Sequence, residues 1–316
     1  MKVHEERITL HDNVSFLSLH LTLGCNARCR HCVFESGPDK KHLTLTPQEV
    51  IVAVRTAREH GVLIMGLTGG EPFLVLDLVE LALKEAAEVG LPYSYIVTNA
   101  FWATSPAKAM TILSRLAKLG LRRIQVSYDR YHAEFVPVNR VINACQQARE
   151  LDFMVQVITT EANDSIKQQT LDALGPAAEF ALGPYISSFN LQPPIPIGRG
   201  ALLSDAELQA DQPVQPECLH FKQHLPFLSV FPGRLVSFCG YANPRLTYRY
   251  PFKRDWLSNM LRVWNKDRCV RDLWTHGLMG LIPEAITGLA CGHCFKWLPV
   301  LYPDKELIDV RGIGKT

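Results

Sequence analysis

No stretch of these 316 residues stays apolar for the roughly 18 positions that a membrane-spanning helix needs, which excludes a helical membrane protein. The N-terminus, MKVHEERITLHD, lacks both the apolar core of a signal peptide and the Arg/Ser bias of a transit peptide, so a cytoplasmic location is expected. An excess of either charge is missing too. Lys and Arg total 33 against 31 Asp and Glu, a net charge of +2 without long blocks, so neither nucleic acid nor a membrane surface is an expected partner. Low-complexity segments are absent. The nine cysteines do not pair evenly, and in a long chain without secretory features this argues against a disulfide framework and for metal or redox chemistry. What is present is an ordinary globular composition, 47% hydrophobic and 20% charged, long enough for one main domain and a smaller appendage.

From about residue 15 to 192, β-rich apolar runs alternate with helical patterns. The strand candidates are 14–23, 62–68, 93–99, 123–129, 153–160 and 185–192. Thr46-Pro47-Gln48-Glu49 predicts a helix start, with an N-cap, a proline at the first helical position and a Glu to close a capping box; Ser105-Pro106 predicts another. Glycines at 61, 90 and 120 suit left-handed helix ends, one βα unit apart. Six βα units are too few for a closed eight-fold barrel, so the expected fold is α/β, a partial (βα)6 TIM-like barrel over residues 1–200, with its site at the C-terminal strand ends. After Pro193-Pro194-Ile195-Pro196 the periodicity weakens and cysteines return, which predicts a small cysteine-rich, cluster-binding module over 201–316.

Cys25-Asn26-Ala27-Arg28-Cys29-Arg30-His31-Cys32 follows directly on the first strand, at the mouth of such a barrel. Cysteine thiolates ligate iron–sulfur clusters, and three ligands on a [4Fe–4S] cluster leave one iron open. An open iron can chelate the amino and carboxylate groups of S-adenosylmethionine (SAM), and an electron then breaks a carbon–sulfur bond to give a 5′-deoxyadenosyl radical. A zinc knuckle is the alternative, with His31 as its fourth ligand. The C-x3-C-x2-C spacing resembles the radical SAM superfamily, and Thr68-Gly69-Gly70-Glu71-Pro72 is similar to that family's Gly-Gly-Glu-Pro turn. The resemblance implies that Gly69 and Gly70 let the backbone approach SAM and that Glu71 accepts a hydrogen bond from its ammonium. It also implies ribose and carboxylate contacts from Asn99, Ser127 and Asp129, and an adenine contact near Gly198 in Ile197-Gly198-Arg199-Gly200. Strand-end capping and a plain glycine-rich turn are the competing readings.

Cys218, Cys239, Cys291 and Cys294 offer four ligands for a second, closed site. A fully ligated [4Fe–4S] cluster or a zinc ribbon would use the same residues. Their arrangement resembles the short twitch form of the SPASM auxiliary-cluster module. Thr98-Asn99-Ala100-Phe101-Trp102 and Ser127-Tyr128-Asp129-Arg130-Tyr131-His132, taken with these cysteines, resemble radical SAM peptide epimerases of ribosomally made peptides. Those enzymes carry a Cys-Cys pair, one thiol being the hydrogen donor, where this chain has Cys239-Gly240. Cys269 is the fallback donor, although its helical setting suits core packing. Cys145 falls on the apolar side of a helical pattern and is expected to be inert.

The resemblance implies SAM and two [4Fe–4S] clusters as cofactors, a precursor peptide as substrate, and flavodoxin or ferredoxin as electron donor. The expected reaction is hydrogen-atom abstraction from a peptide, ending in an oxidised, cross-linked or epimerised residue. Oxidation of a small molecule such as an aminocyclitol and a non-catalytic metal scaffold are the alternatives.

Overall fold

The computed structural model describes residues 16–160, 172, 190–192, 194–208, 227–253, 255–276, 278, 280–282, 290–304 and 308–312. Strands β1 (Phe16–Thr22), β2 (Ile64–Gly69), β3 (Tyr93–Thr98), β4 (Arg123–Ser127), β5 (Met154–Thr160) and β6 (Asn190–Gln192) pair in parallel, each with the next. Between them lie helices α1 (Pro47–Glu59), α2 (Leu76–Glu88), α3 (Pro106–Lys118), the single turn α4 (Arg130–Ala133) and α5 (Val138–Glu150). The sheet does not close, as six βα units require. Residues 185–189 of the last predicted strand lie outside the described residues.

Local sequence sets these elements as expected. Thr46 and Glu49 form the reciprocal capping box, with Glu49 N donating to Thr46 Oγ1 at 3.2 Å and Thr46 N to Glu49 Oε2 at 2.8 Å. Ser105 Oγ accepts from Lys108 N. Gly61, Gly90 and Gly120 all take positive φ, releasing the chain from α1, α2 and α3 into the next strand. Odd residues of β1 and even residues of β4 face the helices: Leu17, Leu19, Leu21, Ile124 and Val126 are wholly buried in one apolar core. Cys145 joins that core from α5, and burial pushes its thiol up to about 12, which leaves it inert.

Periodicity failed to foresee three short strands in the later segment. Strand β7 (Phe227–Phe231) pairs in parallel with β1, and β8 (Leu235–Ser237) and β9 (Thr247–Arg249) continue antiparallel, so the order is β6-β5-β4-β3-β2-β1-β7-β8-β9. Two of these strands, β8 and β9, have only three residues each, too few to show a period of two. Helices α6 (Asp205–Leu208), α7 (Trp256–Lys266), α8 (Arg268–His276) and α9 (Ala290–Leu301) complete the described chain.

Candidate active site: a three-cysteine cavity

The loop after β1 is pinned before it reaches its cysteines. Leu23 N donates to Leu43 O, Gly37 N to Leu23 O, and Cys25 N to Gly37 O, so residues 24–37 close on themselves over the strand end. Cys25, Cys29 and Cys32 all line one cavity of about 230 Å³. Cys25 Sγ accepts from Ala27 N at 3.4 Å and from Asn99 Nδ2 at 3.7 Å. Burial, then the charge of Glu71, pushes its thiol up to about 12. A cation at the sulfur reverses that balance, which is what a thiolate site for iron requires.

The Gly-Gly-Glu turn is fastened to the same strand end. Gly70 N donates to Thr22 O at 2.6 Å and Glu71 N to Gly24 O at 2.9 Å. A Cβ on Gly69, at φ +134°, would stand 2.2 Å from Thr22 O, and one on Gly70 would stand 2.0 Å from Gly24 O. Both glycines line the cavity. Glu71 is not among the lining residues. It is wholly buried; Oε1 accepts from Thr98 Oγ1 (2.8 Å) and Phe73 N (3.1 Å), and Oε2 from Asn99 N (2.8 Å). Burial raises its pKa to about 7 against the pull of these donors. Its carboxylate ties the β2 and β3 ends together. Trp102 extends the tie, donating from Nε1 to Thr98 Oγ1 and stacking on Phe73.

Asn99 and Ser127 line the cavity. Asp129 lies behind the wall. Oδ1 caps α4, accepting from Tyr131 N (3.0 Å) and His132 N (2.9 Å), and accepts from His132 Nδ1 at 2.8 Å; Oδ2 accepts from Thr160 N. The residue is wholly enclosed among these donors. Burial alone would raise its pKa, but His132 outweighs that and holds it down to about 2. Burial lowers His31 to about 4. For His132 burial acts the same way, yet Asp129 and Cys29 carry its pKa well above the usual histidine range. His31, Asp129 and His132 have ligand atoms within 4.8 Å of one another, a spacing compatible with a metal ion. With three N–H groups already on Asp129 Oδ1, the trio is better described as a hydrogen-bonded brace. Sequence reading gave His31 and His132 no firm role, yet both line the cavity.

Gly198 sits against the cysteine loop. It takes φ +58°, and a Cβ there would stand 2.5 Å from Val33 O and 2.8 Å from Cys32 O, so it lets the later chain press on the back of the cysteine loop. Arg199, its neighbour, lines the cavity and braces that loop, donating from Nε to Cys29 O, from Nη2 to Ser36 O and from its backbone N to Cys32 O.

Of the later cysteines, Cys218 lies outside the described residues, and α9 carries Cys291 and Cys294 one helical turn apart. Helix α9 packs on the turn Pro244–Leu246 that follows Cys239, and Asn243 Nδ2 donates to Cys294 Sγ at 3.3 Å. Cys239 and Cys294 both pack against the main core. Cys269 is 1% exposed on α8 and lines a separate pocket with Asp267, Arg268 and Tyr302, not the three-cysteine cavity. No described helix is long and apolar enough to cross a membrane.

The radical SAM superfamily model matches residues 19–160, the stretch that holds the three thiols at the C-terminal end of the first strand and the Gly-Gly turn at the end of the second, so this part of the chain is a radical SAM domain. SAM and a [4Fe–4S] cluster are the cofactors of that class, and the donor set of Cys25, Cys29 and Cys32 fits the cluster. The chain is similar to the putative peptide biosynthesis protein YydG of Bacillus subtilis (strain 168), at 30% identity over 183 residues, 55% of this chain and 54% of that protein. It is also similar to the GTP 3′,8-cyclase of Listeria welshimeri, at 29% identity over 147 residues, 43% and 42% of the two chains. These matches span about half the length of each relative. Among solved structures, SuiB of Streptococcus suis bound to S-adenosylmethionine superposes with a TM-score of 0.48 and 14% identity, over 84% of this chain and 68% of that one. BtrN in complex with AdoMet and 2-DOIA gives 0.47 and 13%, over 82% and 86%.

Proposed function

We propose that this chain abstracts a hydrogen atom from an unreactive carbon of a ribosomally made peptide and leaves an oxidised residue. Cys25, Cys29 and Cys32 would hold a [4Fe–4S] cluster, and the chemistry it would supply there is reductive cleavage of SAM to methionine and a 5′-deoxyadenosyl radical. The protein's own part is to hold SAM against the Gly69-Gly70 backbone and beside Asn99 and Ser127, and to keep the cavity closed behind by Glu71 and Asp129. Likeness to the putative peptide biosynthesis protein supports the peptide as substrate.

The observation that carries oxidation over epimerisation is the cavity's thiol content. Epimerisation needs a hydrogen donor on the face opposite the attacked one, and among the described residues the cavity holds no thiol besides Cys25, Cys29 and Cys32. Gly240 brings no thiol next to Cys239, and Tyr241 takes the following place in the cavity wall. A substrate radical without a donor loses an electron and a proton. A second, fully ligated cluster on Cys218, Cys239, Cys291 and Cys294 would supply the one-electron acceptor.

Mass spectrometry of the peptide product made in heavy water tests this. Oxidation lowers the mass by two hydrogens, whereas epimerisation conserves hydrogen count and introduces one deuterium from an exchanged donor. Deuterium gain without oxidation overturns the reading.

A further inference from the structure

Along β3, β4 and β5 successive residues alternate between two faces. Ile96, Ile124, Val126, Val155 and Val157 are sealed in the core, whereas Val97, Ser127 and Ile158 line the three-cysteine cavity from the inner face. That inner face runs on away from the cavity. Gln125 and Gln156 stand in register one row behind Ser127 and Ile158, and Tyr95, Arg123 and Met154 form the row behind them. Strands advance roughly 3.3 Å per residue, so Arg123 lies about 13 Å from Ser127 along β4. The far end of the face is open, with Tyr93 65% and Met154 49% exposed.

Arg123 is held in one place on this face. Its Nη2 donates to Gln156 Oε1 at 3.0 Å, the same oxygen that accepts from Gln125 Nε2 at 2.6 Å, and its guanidinium carbon lies 5.6 Å from the centre of the Tyr95 ring. That ring lies across Gly66, where a Cβ would stand 2.7 Å from it. What the guanidinium lacks is an anion. Arg55, Arg115 and Arg311 each pair with a carboxylate, but among the described residues none pairs with Arg123. A half-buried guanidinium fixed in this way has N–H groups left over in a planar fork, the geometry that a carboxylate fits.

We infer that the substrate peptide lies along the inner face of β3, β4 and β5 and that Arg123 selects it by pairing with an Asp or Glu side chain. An extended peptide advances by the same ~3.3 Å per residue, so that acidic residue stands about four positions from the one attacked in the cavity. Arg123 then determines specificity at a distance from the reacting atoms. This rests on the peptide reading above.

The test uses the anaerobically reconstituted full chain with SAM and reductant in heavy water, where loss of hydrogen and gain of deuterium both register as modification. The probes are three pools of synthetic peptides long enough to span the face, randomised except for a central residue fixed as Glu, Gln or Lys, and the readout is mass spectrometry. Wild type should modify the Glu pool about tenfold faster than the Gln pool, the scale of a hydrogen-bonded charge pair, with the change mapped by fragmentation to about four residues from the Glu. Arg123→Gln should erase that preference, and Arg123→Glu should reverse it toward the Lys pool, a reversal that a merely structural role does not produce. Equal rates on the Glu and Gln pools in wild type, or a Glu preference that survives in Arg123→Gln, overturns the inference. Should the charge-reversed variant fail to fold, the comparison of wild type with Arg123→Gln decides alone. Release of 5′-deoxyadenosine with no pool modified overturns the peptide reading itself, a distinct outcome that takes the inference with it.

Discussion

At Gly70 there is no room for a methyl group, because the Gly24 carbonyl stands 2.0 Å from where a Cβ would sit and both are backbone atoms held by hydrogen bonds. Gly70→Ala should therefore displace the cysteine loop, lowering stability by about 1–3 kcal/mol, the usual cost of overpacking, and reducing iron loading. Thermal melting with iron analysis checks this; an Ala variant with unchanged melting and iron content contradicts the packing argument. The thiols make a complementary prediction. Replacing Cys25, Cys29 and Cys32 together with Ala should remove one cluster, about four irons, and abolish reductive release of 5′-deoxyadenosine. Persisting 5′-deoxyadenosine in that variant would falsify the assignment of these residues as the SAM-cleaving site.

Among the elements, β1 is the most heavily constrained, paired on one side by β2 and on the other by β7. Its even residues face inward, and His20 there is 3% exposed, stacked on Phe231 at 4.0 Å and edge-on to Phe34. Burial lowers its pKa from 6.5 to about 3. Below pH 6.5 the unfolded chain takes up a proton that the folded one refuses until near pH 3. This site's contribution is thus fully present above pH 6.5 and is lost as pH falls toward 3, by up to about 1.4 kcal/mol per pH unit. His20→Phe keeps the ring stacking and removes the proton, so its stability should fall less steeply with acid. Urea denaturation at several pH values between 6.5 and 5 measures both slopes, and equal slopes refute the assignment.

Over the whole molecule, the buried side chain of Arg311 helps fasten the late chain to the cysteine loop. Arg311, with 6% of its side chain exposed, donates from Nε to Val33 O at 2.6 Å, from Nη2 to Tyr241 O at 2.7 Å and from Nη1 to Ala242 O at 3.4 Å. It joins the segment after Cys32 to the segment after Cys239. Arg311→Ala should cost about 3 kcal/mol, since three carbonyls lose a charged donor, and Arg311→Lys should recover little because one ammonium cannot match the fork. Differential scanning calorimetry decides it; a loss below about 0.5 kcal/mol in the Ala variant means the tie is not structural.

The amino-acid sequence by itself determined whatever depends on neighbours along the chain. The capping box at Thr46, the helix ends at Gly61, Gly90 and Gly120, and the spacing of Cys25, Cys29 and Cys32 are local chemistry, and they carried the parallel sheet and the class of enzyme with them. Tertiary structure alone decided which polar groups face the cavity. Glu71 and Asp129 stand in the expected turns, yet both turn inward, because buried backbone N–H groups of Asn99, Phe73, Tyr131 and Thr160 need acceptors and a carboxylate enclosed there needs donors. The docking of β7 on β1 and the approach of Arg199, Tyr241 and Arg311 to the cysteine loop join residues some 170 to 280 positions apart. Such long-range pairings are set by shape and burial, which leave no periodic trace in the sequence.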